Sequence, residues 1–126
     1  MPAPQDWPRL LSRPNRLTRK SEFDRLFAEG QALHDPLCSL RAAPNMLSVT
    51  RFGFICGKRV GGAVLRNRIR RRLRHQARRL LADLPSGWDI LIVVRPKAAL
   101  ATSDELSAAL MGLLRRRGLI GGENEK

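Results

Sequence analysis

The segment between Asp35 and Asp83 contains no acidic residue but twelve arginines and lysines, eight of which are arginines within residues 66–79. Like charges one helical turn apart repel each other, so any helix formed here is destabilised on its charged side until a polyanion neutralises that side. Of the 24 cations in the chain, twenty are arginines, whose planar guanidinium groups suit phosphate and base-edge contacts. The segment therefore predicts a nucleic-acid-binding surface, and the formal net charge of +13 agrees with it.

Helical periodicity predicts that this charge lies on one long helix over residues 63–84, which Pro85 and Gly87 end. The residues of one side form an apolar stripe, interrupted by one amide: Leu65, Ile69, Leu73, Gln76, Ala77 and Leu80. The polar and charged residues occupy the opposite side and both flanks: Arg66, Asn67, Arg68, Arg70, Arg71, Arg72, Arg74, His75, Arg78 and Arg79. We expect the stripe to pack on the rest of the domain and the arginines to face solvent or RNA.

The remaining elements indicate a small sandwich of helices and strands. Ser21 and Asp24 have the spacing of a capping box for a first helix that ends near Gly30. Strands are predicted over residues 37–42 and 49–57, and the continuous apolar run 88–94 predicts a central strand buried on both faces. Ser103 is the predicted cap of a last helix that Gly118 ends. This order predicts one α/β or α+β domain, with helices on one or both faces of a mixed sheet.

Composition predicts one folded domain over residues 15–117, a flexible basic arm over 1–14 and a disordered tail over 118–126. The longest apolar run has five residues, far too few to span a bilayer, and the start of the chain does not resemble a secretory signal. Cys38 and Cys56 form no disulfide framework and are interpreted as small apolar residues of strands. We expect a cytoplasmic protein that has no membrane partner.

Several catalytic and metal sites are disfavoured. His34 is expected in a polar turn and His75 on the arginine helix, and neither has the partners of a general base. The basic half contains no carboxylate cluster for a two-metal nuclease, and His34 with Cys38 lacks the second pair of a zinc site. The glycines of residues 57–62 do not form a phosphate loop, because no lysine follows the last glycine into the helix. We expect no metal to be bound by protein side chains alone.

The type of nucleic acid is less constrained. A helix that reads the major groove of DNA usually mixes amides and hydroxyls with a few arginines, whereas this helix is almost entirely arginine, which favours RNA. Aromatic residues make up only 5% of the chain, so base stacking on an aromatic platform is not expected. An rRNA-binding ribosomal or ribosome-assembly protein would have much the same composition. A small DNA-binding regulator is disfavoured because the helix–turn–helix spacing is missing.

The stretch over residues 53–74 resembles the bacterial ribonuclease P protein family. In that family a strand ends in a Lys-Lys/Arg-Val/Ile-Gly turn, which Ala-Val-x-Arg-Asn-Arg-x-Lys/Arg-Arg follows; here the chain reads Gly-Lys-Arg-Val-Gly-Gly-Ala-Val-Leu-Arg-Asn-Arg-Ile-Arg-Arg. The resemblance extends over about residues 14–117. Gly62 departs from the family, which usually has asparagine there, and Arg41 lies near a position that often carries an aromatic residue.

The resemblance implies an α+β fold of the ribosomal-protein-domain-2-like type. This fold is a compact two-layer sandwich in which three helices surround a mixed four-stranded sheet. It includes a left-handed strand–helix–strand crossover, which periodicity alone would not predict because such crossovers are almost always right-handed. It also implies a protein subunit, inactive alone, that assists a catalytic RNA in the Mg²⁺-dependent removal of the 5′ leader from precursor tRNA. The expected partners are ribonuclease P RNA, in a one-to-one ribonucleoprotein, and precursor tRNA. The Mg²⁺ is expected to be bound mainly by the RNA.

The same resemblance implies two groups of site residues. The residues expected to contact the catalytic RNA are Lys58, Arg59, Arg66, Asn67, Arg68, Arg70, Arg71 and Arg74. Those expected to contact the leader, in a cleft between the first helix and the sheet, are Arg19, Lys20, Phe23, Phe27 and Arg41. Spacing alone would assign Phe23 and Phe27 to the core, but the resemblance implies that at least one of them lines this cleft.

Overall fold

The structure is a computed structural model that describes residues 13–121, so most of the predicted arm and the last residues of the predicted tail lie outside it. Its described part has three α-helices and four strands, which confirms the expected α+β fold. In chain order these elements are α1 (Lys20–Glu29), β1 (Gln31–His34), β2 (Cys38–Pro44), β3 (Arg51–Cys56), α2 (Ala63–Leu80), β4 (Trp88–Val94) and α3 (Ser103–Arg117).

The four strands form one mixed sheet in the order β1-β2-β4-β3. β4 is central, as its continuous apolar sequence predicted, and pairs antiparallel with β2 and parallel with β3. Its Ile90 lies opposite Ala42 on one side and Phe52 on the other. Because β3 and β4 are parallel neighbours, α2 forms the crossover between them; the left hand of this crossover stays a prediction.

The two faces of the sheet are covered to different extents, because side chains alternate along each strand. Ile90, Ile92 and Val94 belong to the main core, which α2 and α3 cover. Leu91 and Val93 point to the opposite face, where α1 covers a smaller apolar cluster that includes Leu26. The predicted apolar stripe of α2 is confirmed at four buried positions: Ile69, Leu73, Ala77 and Leu80.

The helix caps differ from the predictions by two residues at α1 and by one residue at α3. α1 begins at Lys20, and the carboxylate of Glu22 accepts the backbone N–H groups of Thr18 and Arg19, both at 3.0 Å. The predicted Ser21/Asp24 capping box is therefore wrong, and Asp24 instead pairs with Lys20 at 2.8 Å. For α3 the cap is Thr102 rather than Ser103, because the Thr102 hydroxyl accepts the N–H of Glu105 at 3.1 Å.

The sequence patterns did not predict β1, and they predicted an α2 that is four residues longer than the one observed. His34 lies at the end of this edge strand rather than in a turn. Its carbonyl accepts a hydrogen bond of 2.8 Å from Nη1 of Arg116. Residues 81–83 form a 3₁₀ turn after α2. Gly118 ends α3 in the left-handed conformation, as predicted. Leu119 is buried and packs into the main core, so the folded part extends past the predicted boundary at residue 117.

Candidate nucleic-acid interface

The outer side of α2 borders an open groove of about 570 Å³, here called the α2 groove. Its lining combines five predicted site residues with two that were not predicted: Asn67, Arg68, Arg70, Arg71 and Arg74, together with Arg16 and Val64. Lys58 and Arg59 are exposed in the turn that precedes α2 and do not line it. The structure thus gathers most of the predicted contact residues of α2 into one concave, cationic surface.

Local hydrogen bonds hold two guanidinium groups of α2 in place, those of Arg70 and Arg66. Arg70 donates through Nη1 to the carbonyl of Cys56 at 3.3 Å and through Nη2 to the side-chain oxygen of Asn67. Arg66 donates through Nε to the carbonyl of Gly61 at 3.0 Å, so its side chain turns back toward the start of the helix. A guanidinium group that is already oriented loses less conformational entropy when it binds an anion.

No acidic residue neutralises the α2 groove within residues 13–121. The ion pairs within residues 13–121 involve Lys20, Arg25 and Arg51, and no arginine of α2 takes part in them. The pKa of Arg74 is lowered from its ordinary value by burial first, and then by the nearby charges of Arg16 and Arg70. Mutual repulsion of this kind favours a bound anion.

Arg16 is a member of this surface that sequence reasoning missed. It lies in the irregular segment before α1, where no periodic pattern assigns a direction to a side chain. A parallel bridge with Phe52 attaches it to β3 and so brings it beside α2. Only this long-range pairing identifies it.

A second surface, here called the α1 cleft, lies between α1 and the part of the sheet that α1 leaves uncovered. Phe27 is 46% exposed, and the guanidinium carbon of Arg41 lies 5.2 Å from the centre of its ring. Arg41 also donates through Nη1 to the carbonyls of Gly30 at 2.8 Å and Phe27 at 3.3 Å. The structure therefore brings the predicted pair Phe27 and Arg41 together at an exposed position.

Phe23 has a more structural position than Phe27. It is half-buried and packs on the backbone of β3 at Gly53, where an added Cβ would lie 2.7 Å from Cε1 of Phe23. Arg19 and Lys20 are both exposed at the start of α1. The hydrogen-bonded ion pair with Asp24 raises the pKa of Lys20 and partly neutralises its charge.

The floor of the α1 cleft consists of residues that sequence reasoning did not assign to a site. Val93 of β4 lies between Ser39 of β2 and Ile55 of β3 in one row across the sheet, and all three are half-buried. In the neighbouring row Leu91 lies beside Arg41 and is completely buried. The alternation of side chains in strands was a signal for this face, but it needed the strand order to join the residues into one surface.

A buried ionic network fixes α1 on the sheet and borders the α1 cleft. Asp89 is fully buried, and its carboxylate accepts four hydrogen bonds of 2.8 Å each. The donors are Nε and Nη2 of Arg51, Nη2 of Arg25 and Nδ2 of Asn45. Burial by itself would raise the pKa of Asp89, but these hydrogen bonds outweigh it and hold the pKa below its ordinary value. Arg51 also donates to Glu22 at 2.7 Å, which connects β4 to the start of α1.

The other candidate groups have structural surroundings. Burial first, and then the charge of Asp35, raises the pKa of the Cys38 thiol to about 12, while burial also raises that of Cys56. Within residues 13–121, no three His, Cys, Asp or Glu side chains are grouped so that they could hold a metal ion. No helix in the same range is both long and apolar enough to cross a membrane.

Comparison with known proteins gives one consistent result. The sequence model of the family described as Ribonuclease P matches residues 11–118. The ribonuclease P protein component of Dehalococcoides mccartyi is 40% identical and covers 92% of this chain and 95% of its own length. That of Roseiflexus castenholzii is 38% identical, with coverages of 89% and 93%.

Solved structures show the same fold. The RNase P protein of Staphylococcus aureus aligns with a TM-score of 0.80 at 22% identity, over 85% of this chain and 98% of that protein. The RNase P protein of Thermotoga maritima aligns with a TM-score of 0.75 at 28% identity, over 80% of this chain and 98% of that one. The helices and strands of this chain are therefore arranged as in these bacterial proteins.

Proposed function

Because the chain belongs to the ribonuclease P protein family, we propose that it is the protein subunit of ribonuclease P, which binds the catalytic RNA and the 5′ leader of precursor tRNA. In this role it assists the endonucleolytic removal of the leader, which produces the mature 5′ end. The observation that carries the proposal is the α2 groove, where arginines converge without an acidic partner in the described part of the chain.

The α2 groove is the proposed contact with the catalytic RNA. The folding of an RNA brings its phosphates together, and arginines that contact them replace condensed counterions and offset the repulsion. Asn67, Arg68, Arg70, Arg71 and Arg74 line this groove and are the proposed core of the contact. Arg66, on the same helix, is proposed to add to it. Lys58 and Arg59, exposed in the preceding turn, extend the same charge.

The α1 cleft is the proposed site for the single-stranded leader. The low aromatic content disfavours a platform of several rings, but the single exposed ring of Phe27 offers a surface on which one unpaired base can stack. Arg41 beside it can bind a phosphate or a base edge. Phe23 supports the wall of the cleft, while Arg19 and Lys20 add positive charge at one end. Because only the precursor carries a leader, this site favours the precursor over mature tRNA.

The RNA subunit is the proposed catalyst, in a one-to-one complex with the protein in the cytoplasm. Mg²⁺ prefers oxygen ligands, and the lining of the α2 groove contains no carboxylate for it. In this proposal the Mg²⁺ ions, which activate the hydrolysis, are therefore held mainly by RNA phosphates. The protein contributes binding and orientation, and it lowers the Mg²⁺ concentration that the complex needs.

The alternative of an rRNA-binding ribosomal or ribosome-assembly protein is not favoured, because the relatives compared above are ribonuclease P protein components and RNase P proteins. One reconstitution separates the two. The protein is mixed with a bacterial ribonuclease P RNA and precursor tRNA at low Mg²⁺, and cleavage of the leader is followed with and without protein. We expect cleavage only when protein is present. Absence of this rescue, together with tighter binding to an rRNA fragment, would overturn the proposed function.

A further inference from the structure

One guanidinium group of the α2 groove comes from outside α2. Arg16 lines this groove together with Arg70 and Arg74, although it lies before α1 in the chain. We propose that Arg16, Arg70 and Arg74 form a binding site for one backbone phosphate of the catalytic RNA. This inference rests on the proposed function, because it names the RNA group that this part of the interface binds.

The backbone of Arg16 is held in position on both sides. The side chain of Asn15 donates to the carbonyl of Thr50 at 2.8 Å, and the N–H of Leu17 donates to the carbonyl of Phe52 at 2.8 Å. Between these two bonds, Arg16 itself bridges to Phe52. Its starting point beside α2 is therefore set by β3 before any ligand arrives, which reduces the entropy lost on binding.

The guanidinium group of Arg16 has a donor that the described residues leave without an acceptor. Its Nε is buried and makes no hydrogen bond within that part of the chain, although the residue as a whole is half-buried. A buried donor without an acceptor is unfavourable. Rotation of the side chain toward a phosphate in the groove would give this donor an acceptor, and the guanidinium fork matches phosphate geometry.

The charges around Arg16 also favour an anion. Arg70 is already oriented by Asn67 and by the carbonyl of Cys56. The positive charges of Arg16 and Arg70 help to lower the pKa of Arg74, after burial. Arg16, Arg70 and Arg74 repel each other in a groove whose lining contains no carboxylate. A bound phosphate would reduce this repulsion.

The first test uses inorganic pyrophosphate and the full chain. The Nε–H resonances of the arginines are recorded by ¹H–¹⁵N NMR, and that of Arg16 is assigned by its loss in Arg16→Lys. We expect this resonance to shift and saturate with pyrophosphate, and the apparent affinity to fall about tenfold in Arg74→Gln. Shifts confined to other arginines, or a stronger response to acetate, would overturn the phosphate site.

The second test measures the affinity for ribonuclease P RNA as a function of salt. Arg16→Gln is expected to weaken binding about tenfold and to reduce the slope of log K against log salt by about one, whereas Arg16→Lys keeps most of the slope. The control is Lys97→Gln, which removes the same charge from a depression that Asp35 and Glu105 also line, and which should change neither quantity.

The outcomes separate the inference from the proposed function. If Arg16→Gln and Lys97→Gln bind the RNA equally well, the Arg16 site is wrong while the RNA partner stands. If the parent protein binds no ribonuclease P RNA but Arg16 still responds to pyrophosphate, the proposed function is wrong and the anion site stands. Thermal unfolding of each variant identifies loss of fold. If Arg16→Gln does not fold, the RNA affinity of Arg16→Lys and the pyrophosphate titration of the parent protein carry the test.

Discussion

At the scale of single residues, Phe27 and Phe23 show how similar side chains on one helix acquire different tasks. They lie four residues apart on α1, which is the spacing of one helix face. Phe23 packs against the backbone at Gly53, whereas Phe27 remains 46% exposed beneath Arg41. Spacing would assign both to the core, and only the way in which α1 packs on the sheet distinguishes them.

This difference predicts the effect of Phe27→Ala. The variant should reduce the preference for precursor over mature tRNA by about tenfold, because stacking of a base on an aromatic ring contributes about 1–3 kcal/mol. Both affinities are measured with the reconstituted complex. Leu100→Ala, which truncates a side chain that is 91% exposed elsewhere, is the control and should leave the preference unchanged. An unchanged preference in Phe27→Ala would remove Phe27 from the leader site.

At the scale of elements, α2 is the part of the chain in which sequence and structure agree best. Its apolar stripe is buried at Ile69, Leu73, Ala77 and Leu80, and its arginines lie on the other sides. The pattern is local, since residues three and four apart share a face in any α-helix. By contrast, the four residues of β1 were missed because an edge strand with exposed ends has almost no periodic signal.

The exposed arginines of α2 predict a separation of binding from folding. Arg68→Ala and Arg71→Ala should each weaken assembly with the catalytic RNA about tenfold and reduce the salt slope by about one. Their free energy of unfolding should stay within about 0.5 kcal/mol of the parent, because both side chains are exposed. Filter binding over a salt series and urea denaturation measure the two effects. Parent-like affinity in both variants would contradict the assignment of α2 to the RNA.

At the scale of the whole molecule, the Asp89 network connects parts of the chain that are distant in sequence. Asp89 is separated from Arg51 by 38 residues and from Arg25 by 64, and Arg51 continues the chain of contacts to Glu22. The network thereby joins β4, β3 and α1 at one end of the α1 cleft. A lone aspartate near the start of an apolar strand gave no indication of these partners.

The network predicts a specific pH dependence of stability. Asp89→Asn should destabilise the protein by about 3 kcal/mol at pH 7, because it removes the buried carboxylate that pairs with the half-buried guanidinium groups of Arg51 and Arg25. Since the folded pKa of Asp89 is lowered, its stabilisation is present above the unfolded value of about 4 and is lost as the pH falls through the folded pKa. The difference between parent and variant should therefore shrink on acidification, as measured by urea denaturation at several pH values.

The matched control for this prediction is Asp83→Asn, because Asp83 is exposed in the 3₁₀ turn after α2. It should have little effect at any pH in the same series. A constant difference between Asp89→Asn and the parent across the acidic range would mean that the carboxylate of Asp89 contributes packing rather than charge.

Patterns that depend on neighbours in sequence could be predicted without a structure, and those that depend on distant pairing could not. The apolar stripe and arginine faces of α2, the central position of β4 and the Gly118 helix end follow from local periodicity, hydrophobicity and backbone preference. The floor of the α1 cleft and the place of Arg16 beside Arg74 arise only when strands from separate parts of the chain pair. Strand pairing decides which side chains share a surface, because it sets both the order of the strands and their register.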